Sequence, residues 1–251
     1  MRPAPVGHGD LPSISVVVPA RDDADALVRC LARLAEQTVA PDEVVVVDNA
    51  SSDATRQVAL AWGARVVSEV RVGIPAAAAT GYDEARGDVI ARLDADSLPD
   101  RRWVERIGTR MRDEPALDAL TGVGTFDDLP AVVGVAAAAG YLGAYYALCH
   151  LALGHTALWG SSMAVRRGTW LAVRSTVRRE DPDVHDDLDL AFAIGPGRRI
   201  RLDPRLVVGV SSRSLRGGAQ WRRRVGRAWR TLRLNWASMP PWVRWRVRVA
   251  R

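Results

Sequence analysis

The chain has no lysine: all 35 of its basic residues are arginine. That absence excludes the lysine of a Walker-type phosphate loop, a Schiff-base lysine and any other lysine-dependent chemistry. Cysteine is nearly missing too. Cys30 and Cys149 sit far apart in apolar helical contexts, with nothing at metal-ligand or redox spacing beside either, so they read as core thiols in a reducing compartment. No Pro- or Gly-rich repeat marks a long disordered region. Residues 1–12 hold no continuous apolar run of the signal-peptide kind, and no export is expected.

Charge is missing in two places. Residues 129–165 contain no charged side chain, a stretch long enough to raise a membrane span. Gly134, Gly140, Gly143, Gly154, His150, His155 and a tyrosine cluster argue instead for a buried or membrane-facing amphipathic segment. Acidic residues stop at Asp203, whereas thirteen arginines follow from Arg205 onward. The first 203 residues therefore carry 22 arginines against 29 acids, and the net charge of +6 conceals an acidic body with a basic tail.

What is present is globular: 251 residues, 48% hydrophobic and 25% charged, enough for one α/β domain or one domain with an appendage. Residues 14–19 (Ile-Ser-Val-Val-Val-Pro) read as a buried strand, followed by a helix with Ala26, Leu27, Cys30, Leu31 and Leu34 at helical spacing. Further strands are expected at 44–47, 65–67 and 88–93, separated by helices near 53–62 and 73–86. Such alternation implies a mostly parallel sheet covered on both faces. Ligands in these sheets gather at the carboxyl ends of the strands, where Pro19, Asp48 and Asp94-Ala95-Asp96 all fall.

The last triplet matters most. Residues two apart in an extended segment project to one face, so both carboxylates can meet one ligand. Hard divalent cations commonly bind through one or two carboxylates, with phosphate oxygens and water completing the shell. Read singly, these acids have ordinary explanations: Asp48 could end a strand, residues 186–189 could open a solvated helix, and His185 could be a satisfied surface histidine. Their order and their placement at strand ends argue against coincidence. The tail, residues 220–251, interleaves five of the nine tryptophans with arginine. It could be a solvated basic helix, a nucleic-acid binder or an interfacial anchor. The acidic body and the lack of a known module disfavour nucleic acid, whereas arginine and tryptophan together suit an anionic membrane surface.

These residues resemble glycosyltransferase family 2, inverting enzymes of the GT-A fold that use nucleotide-diphosphate sugars. The similarity runs from about residue 14 to 224. Val18-Pro19-Ala20-Arg21-Asp22-Asp23 is similar to the family's opening strand and loop, which meets the nucleotide base. Asp48-Asn49-Ala50-Ser51-Ser52-Asp53-Ala54-Thr55 resembles its second turn, which implies that Asp48 accepts hydrogen bonds from the base and that Ser52 and Asp53 cap the next helix. Gly73 opens a helix like the family's, but Ala78-Ala79 stands where an Arg-Asn pair is common. Arg71 or Arg92 would have to substitute. By the same resemblance Asp94 meets the ribose and Asp96 the metal, Mn or Mg. Gly160-Ser161-Ser162 lies on the acceptor side, and in the pair Asp186-Asp187 the second acid is the general base. Gln220-Trp221-Arg222-Arg223-Arg224 faintly resembles a motif of processive members, with Arg224 in place of its Trp.

The expected architecture is thus α/β, a Rossmann-like GT-A sheet flanked by helices. Residues 1–210 form the domain, with a nucleotide-binding half (14–100) and an acceptor-binding half (101–210), and residues 211–251 form a basic, Trp-rich helical extension. The expected activity is metal-dependent inverting transfer from a nucleotide-diphosphate sugar to a hydroxyl acceptor, lipid-linked or part of a cell-envelope glycan, by a cytoplasmic protein peripheral to the inner membrane face. The alternative is a non-catalytic, membrane-associated scaffold or regulatory subunit of the same fold, motivated by Ala78-Ala79.

Overall fold

A computed structural model describes residues 11–212 and 218–250. Its first strand, β1 (Ile14–Ala20), is buried along all seven residues. Alternation along this strand explains the layers. Val16 and Val18 enter one core with Leu27, Cys30, Leu31 and Leu34 of helix α1 (Ala24–Ala35), while Val17 enters a second core on the opposite face. A strand covered on both sides needs an unbroken apolar run, and valine's branched side chain suits it.

β1 pairs in parallel with β2 (Glu43–Asp48) on one side and β4 (Val89–Arg92) on the other, and β2 pairs with β3 (Arg65–Ser68). α2 (Thr55–Ala61) and α3 (Ile74–Glu84) make the crossovers. The chain therefore reverses direction across the sheet between β1 and β4, which opens a crevice at their carboxyl ends. The remainder of the sheet is mixed. After β5 (Leu98–Pro99) and α4 (Trp103–Asp113) come β6 (Ala119–Phe126), β7 (Met163–Arg166) and β8 (Ile200–Val210), giving the order β3-β2-β1-β4-β7-β6-β8-β5. β7 is antiparallel to both β4 and β6, and β8 is parallel to β6.

The alanines of α3 are a packing device. Ala76 to Ala79 are all buried, and Gly81 lies so close to the sheet that a Cβ there would stand 2.3 Å from Val17 Cγ1 and 2.9 Å from Val47 Cγ2. α6 (Arg167–Val173) and α7 (Asp186–Ile194) complete this second core through Trp170 and Leu188.

Two expectations change. The charge-free segment is largely one 23-residue helix, α5 (Ala131–Leu153), and it is apolar all round instead of amphipathic. By length and composition it is the one candidate span among the described residues, with mean hydropathy 1.6, yet only 22% of its most apolar window is buried. The tail is not a separate appendage either. α8 (Gly218–Trp236) and α9 (Pro241–Val249) fold back onto the body. Trp236 Nε1 donates to Ala152 O (3.2 Å), Trp245 Nε1 donates to Leu151 O (2.9 Å), and Arg244 Nε donates to Leu153 O (2.8 Å). The end of a helix leaves carbonyls unpaired, and the indoles and guanidinium of the tail supply donors for those of α5. Trp229 and Trp242 remain exposed, and the side chain of Trp221 lies outside the described residues.

Gly81→Ala should lower stability by about 1–3 kcal/mol, because the added methyl overlaps two buried valines in a core with little slack. Chemical denaturation checks it, and an unchanged midpoint would show that α3 can shift away from the sheet at little cost.

Candidate active site

The site grows from one charged residue inside an apolar strand. Arg92, the last residue of β4, is 2% exposed. A guanidinium so deep in the protein needs anionic partners. It finds two: Nη2 donates to Asp94 Oδ1 at 2.9 Å, and Nη1 forms a close ion pair with Asp186. Burial disfavours its charge, but the carboxylates of Asp186 and Asp94 hold it protonated. Gly160 backs this group so tightly that a Cβ would lie 2.8 Å from the Arg92 Cζ. Ser161 Oγ donates to Asp94 Oδ2 at 2.6 Å, which fixes the second oxygen of that carboxylate.

Asp186 and Asp187 open α7, where the helix dipole favours negative charge. Asp187 Oδ2 accepts the Gly160 N–H at 2.9 Å, and Oδ1 accepts the Leu188 N–H at 2.7 Å and faces His185 Nδ1 at 3.4 Å. Burial works against ionisation of Asp187. The His185 hydrogen bond and charge, Arg92 and the Gly160 amide outweigh it and hold this carboxyl below its usual range. For Asp186, burial dominates over the attraction of Arg92, and Asp187 and Asp94 add repulsion, so its carboxyl is pushed up to about 6. The two acids are thus driven apart, with Asp187 the more readily ionised. His185 is in turn raised above its ordinary value, since Asp187 and Asp186 outweigh burial and the nearby Arg224. Its backbone N–H donates to Thr231 Oγ1 of α8 at 2.9 Å. Asp189 is structural: Arg178 and Asn235 both donate to it in the interior.

A cavity of about 270 Å³ brings Asp94, Asp96, Gly160, Ser161, Asp186 and Asp187 together. α5 walls it with Tyr141, Leu142 and Tyr145, and α8 brings in Arg224 and Arg227. Asp96 also borders a more open cleft of about 940 Å³ that holds Asp23, Asp53 and Asp128. Asp96 therefore stands in the wall common to both spaces. Among the described residues no group of three His, Cys, Asp or Glu side chains is arranged to hold a metal. The donors here fit a hard cation that takes one carboxylate from Asp96 and completes its shell with diphosphate oxygens and water, as magnesium commonly does.

The other expected residues lie around the cavity and do not line it. Pro19 and Ala20 are buried at the end of β1, and Arg21 is exposed beside Asp22. Asp48 ends β2, with Oδ1 accepting the Ser51 N–H at 3.1 Å. Gly73 donates its N–H to Asn49 Oδ1 (2.8 Å), and Asn49 in turn donates to the carbonyls of Glu69 and Arg71. Ser162 sits behind the cavity, fully buried, accepting the Trp103 indole N–H. Ser52 and Asp53 do not cap α2 as a pair. Ser52 donates to Asp22 Oδ1, and Asp53 accepts the N–H groups of both Thr55 and Ala24. They staple the loop after β2 to the loop after β1. Arg71 does not line the cavity and is paired with Glu69 and Glu180. Arg92 is in place, but its charge is already matched by carboxylates. Sequence reasoning missed the hub role of Arg92, the His185–Asp187 contact and the contribution of α8. An arginine at the end of an otherwise apolar strand was the visible signal for the first.

Because the His185 value is raised on folding, its contribution to stability is fully present below its ordinary value of 6.5 and is lost as pH rises through the higher folded value. His185→Gln should therefore cost stability at about pH 5.5 and much less at about pH 9. Urea unfolding at both values decides it. An equal loss at the two would show that the imidazole is neutral in the folded protein.

Comparison with known proteins agrees with this geometry. Residues 15–133 match the family model described as Glycosyl transferase family 2. Over 104 residues the chain is 33% identical to glycosyltransferase AglE of Haloferax volcanii, covering 38% of this chain and 34% of that protein. The chain spans about a third of the length of the curated relatives it matches. Among solved structures it is similar to the mannosyltransferase PcManGT from Pyrobaculum calidifontis, solved in complex with GDP-Man and Mn2+. The TM-score is 0.66 at 22% identity, covering 96% of this chain and 74% of that one. It is similar also to glucosyl-3-phosphoglycerate synthase from Mycobacterium tuberculosis in complex with phosphoglyceric acid, with a TM-score of 0.60 at 20% identity, covering 89% and 80%. The sheet order, the crevice at its switch point and these likenesses agree: residues 15–133 match glycosyl transferase family 2, and the chain has the GT-A fold.

Proposed function

We propose that this protein is a metal-dependent, inverting glycosyltransferase that moves a sugar from a nucleotide-diphosphate sugar to a hydroxyl acceptor. The observation that carries the reading is that Asp94, Asp96 and Asp187 line one cavity, with Arg92 tying Asp94 to Asp186, the neighbour of Asp187. In this reading Asp187 takes the proton of the acceptor hydroxyl as that oxygen bonds to the anomeric carbon. The bond from that carbon to the diphosphate oxygen breaks on the opposite face, so configuration inverts in one displacement and no covalent nucleophile is required. The Gly160 N–H and His185 hold the carboxylate in one orientation. Arg92 and Ser161 do the same for Asp94, whose remaining lone pairs would accept from a ribose hydroxyl. Asp96 would hold Mn or Mg, which neutralises charge growing on the leaving diphosphate. Ala78 and Ala79 are in the core and give no cation; Arg224 and Arg227 of α8 bring positive charge to the cavity instead.

The acceptor is, in this reading, a lipid-linked or cell-envelope glycan met at the cytoplasmic face of a membrane. Its support is the apolar, aromatic wall that α5 gives the cavity. The scaffold alternative differs by one property: a scaffold can bind nucleotide but does not turn over a donor.

Asp96→Ala should abolish metal-dependent donor binding while the protein stays folded, because this carboxylate is half-exposed at the cavity wall. Calorimetry of nucleotide-sugar with and without Mn reads it, and wild-type affinity in the variant would remove Asp96 from the site. Asp187→Asn should keep donor affinity and slow transfer by about two to four orders of magnitude, since the amide keeps the shape but cannot accept the proton. Asp186→Asn serves as the internal control. If it is inactive while Asp187→Asn transfers at the parental rate, the base is the first acid of the pair.

A further inference from the structure

α5 has two faces with different fates. The inner one is bonded to the domain: Tyr145 Oη donates to Leu158 O and Tyr146 Oη to Gly122 O, each at 2.6 Å, and Gly134 lies so close to the end of β6 that a Cβ would meet Phe126 O at 2.2 Å. Those contacts hold the helix on the sheet. The outer face is exposed and carries only alanine, glycine, valine and leucine. Val132 is 83% exposed, Leu148 68% and Leu151 64%, with Val133 and Val135 beside them. Contiguous apolar surface of this kind on a soluble domain marks an interaction site.

α9 frames the carboxyl end of that face. Trp245 reaches the carbonyl of Leu151 and stacks edge-on against His150. Trp242 and Val249, three residues before Trp245 and four after it, share its side of the helix and are exposed. Arg246 and Arg248 on the same short helix are exposed as well. An apolar face with tryptophan and arginine at its margin matches a bilayer whose headgroups are anionic: the apolar side chains enter the acyl boundary, tryptophan rests at the interface and arginine meets phosphate.

We propose that the outer face of α5, with α9 as its basic margin, lies on an anionic lipid bilayer, and that the inner face guides a lipid-borne acceptor sideways into the cavity along Tyr141, Leu142 and Tyr145. The second half rests on the glycosyltransferase reading; the first does not. It also relocates membrane contact from the tail as a whole to α5, since Trp236 and Trp245 spend their N–H groups on the domain.

The test uses the full chain and sedimentation with vesicles of phosphatidylcholine alone or mixed with phosphatidylglycerol. Wild type should bind the mixed vesicles. Val135→Glu/Leu148→Glu should weaken that binding by about tenfold or more, with unchanged circular dichroism and unchanged hydrolysis of nucleotide-sugar in the absence of vesicles. Val70→Glu, at an exposed valine outside α5, should change neither. Arg246→Gln/Arg248→Gln should lose about fivefold per arginine on mixed vesicles and nothing on neutral ones. Wild-type protein that ignores the mixed vesicles, or a double-glutamate variant that binds them like wild type, overturns the proposal. So does a dimer in sedimentation velocity that the double-glutamate variant dissociates while vesicles are ignored, because the occupant would then be a second copy. Vesicle binding without donor hydrolysis would sink the enzymatic reading and leave the surface standing.

Discussion

The Arg92 guanidinium sits where the turn assigned to the donor and the helix assigned to the acceptor meet. It joins Asp94 at the end of β4 to Asp186 at the start of α7, across 94 residues of chain from Arg92 to Asp186. At 2% exposure it cannot lose either partner cheaply, since breaking a buried ion pair by removing one member costs about 3–5 kcal/mol. The same group dictates its surroundings. Gly160 has no room for a side chain because the guanidinium occupies it, and the glycine amide is then placed to orient Asp187. One buried cation thus fixes the separation between the carboxylates assigned to the donor and the carboxylate assigned to the acceptor.

Part of the charge asymmetry of the sequence is met within the molecule. Arginines of α8 pair with acids just ahead of α7, Arg230 with Asp181 at 2.8 Å and Arg227 with Asp183 at 3.9 Å. Such exposed pairs contribute little each. The buried polar contacts of the tail matter more: Thr231 receives the His185 amide, Asn235 joins Arg178 on Asp189, and Arg244 lies over the Phe192 ring. The acidic helix is therefore braced from behind by the basic one, and a segment that looks like an appendage is a wall of the site.

Local pattern made part of this legible. β1, β2 and β4 announce themselves as valine- and isoleucine-rich runs. β4 ends at Arg92, however, and Asp94 and Asp96 reach one cavity from a turn closed by the Ser97 N–H on Asp94 O, not from the extended segment their spacing implied. The acidic pair was visible through resemblance. What stayed hidden depends on long-range partners. His185 looks like a surface residue until Thr231, 46 residues later, takes its amide. Ser162 looks like an acceptor contact until Trp103 claims its hydroxyl. Trp236 and Trp245 look like membrane anchors until their indoles meet the last carbonyls of α5. In each case composition gave the residue's chemistry correctly, and tertiary contact decided where that chemistry was used.

The central claim is that this cavity binds a nucleotide-diphosphate sugar with a divalent cation. Thermal unfolding of the full chain with UDP-, GDP- and dTDP-sugars, each with and without Mn, tests it without any assumption about the acceptor. The account predicts that at least one donor raises the midpoint in the presence of Mn and does so far less without it, since a ligand stabilises only the state it binds. If no donor shifts the midpoint with metal present, or if shifts are the same with and without metal, the assignment of Asp94 and Asp96 to a metal–diphosphate site is contradicted.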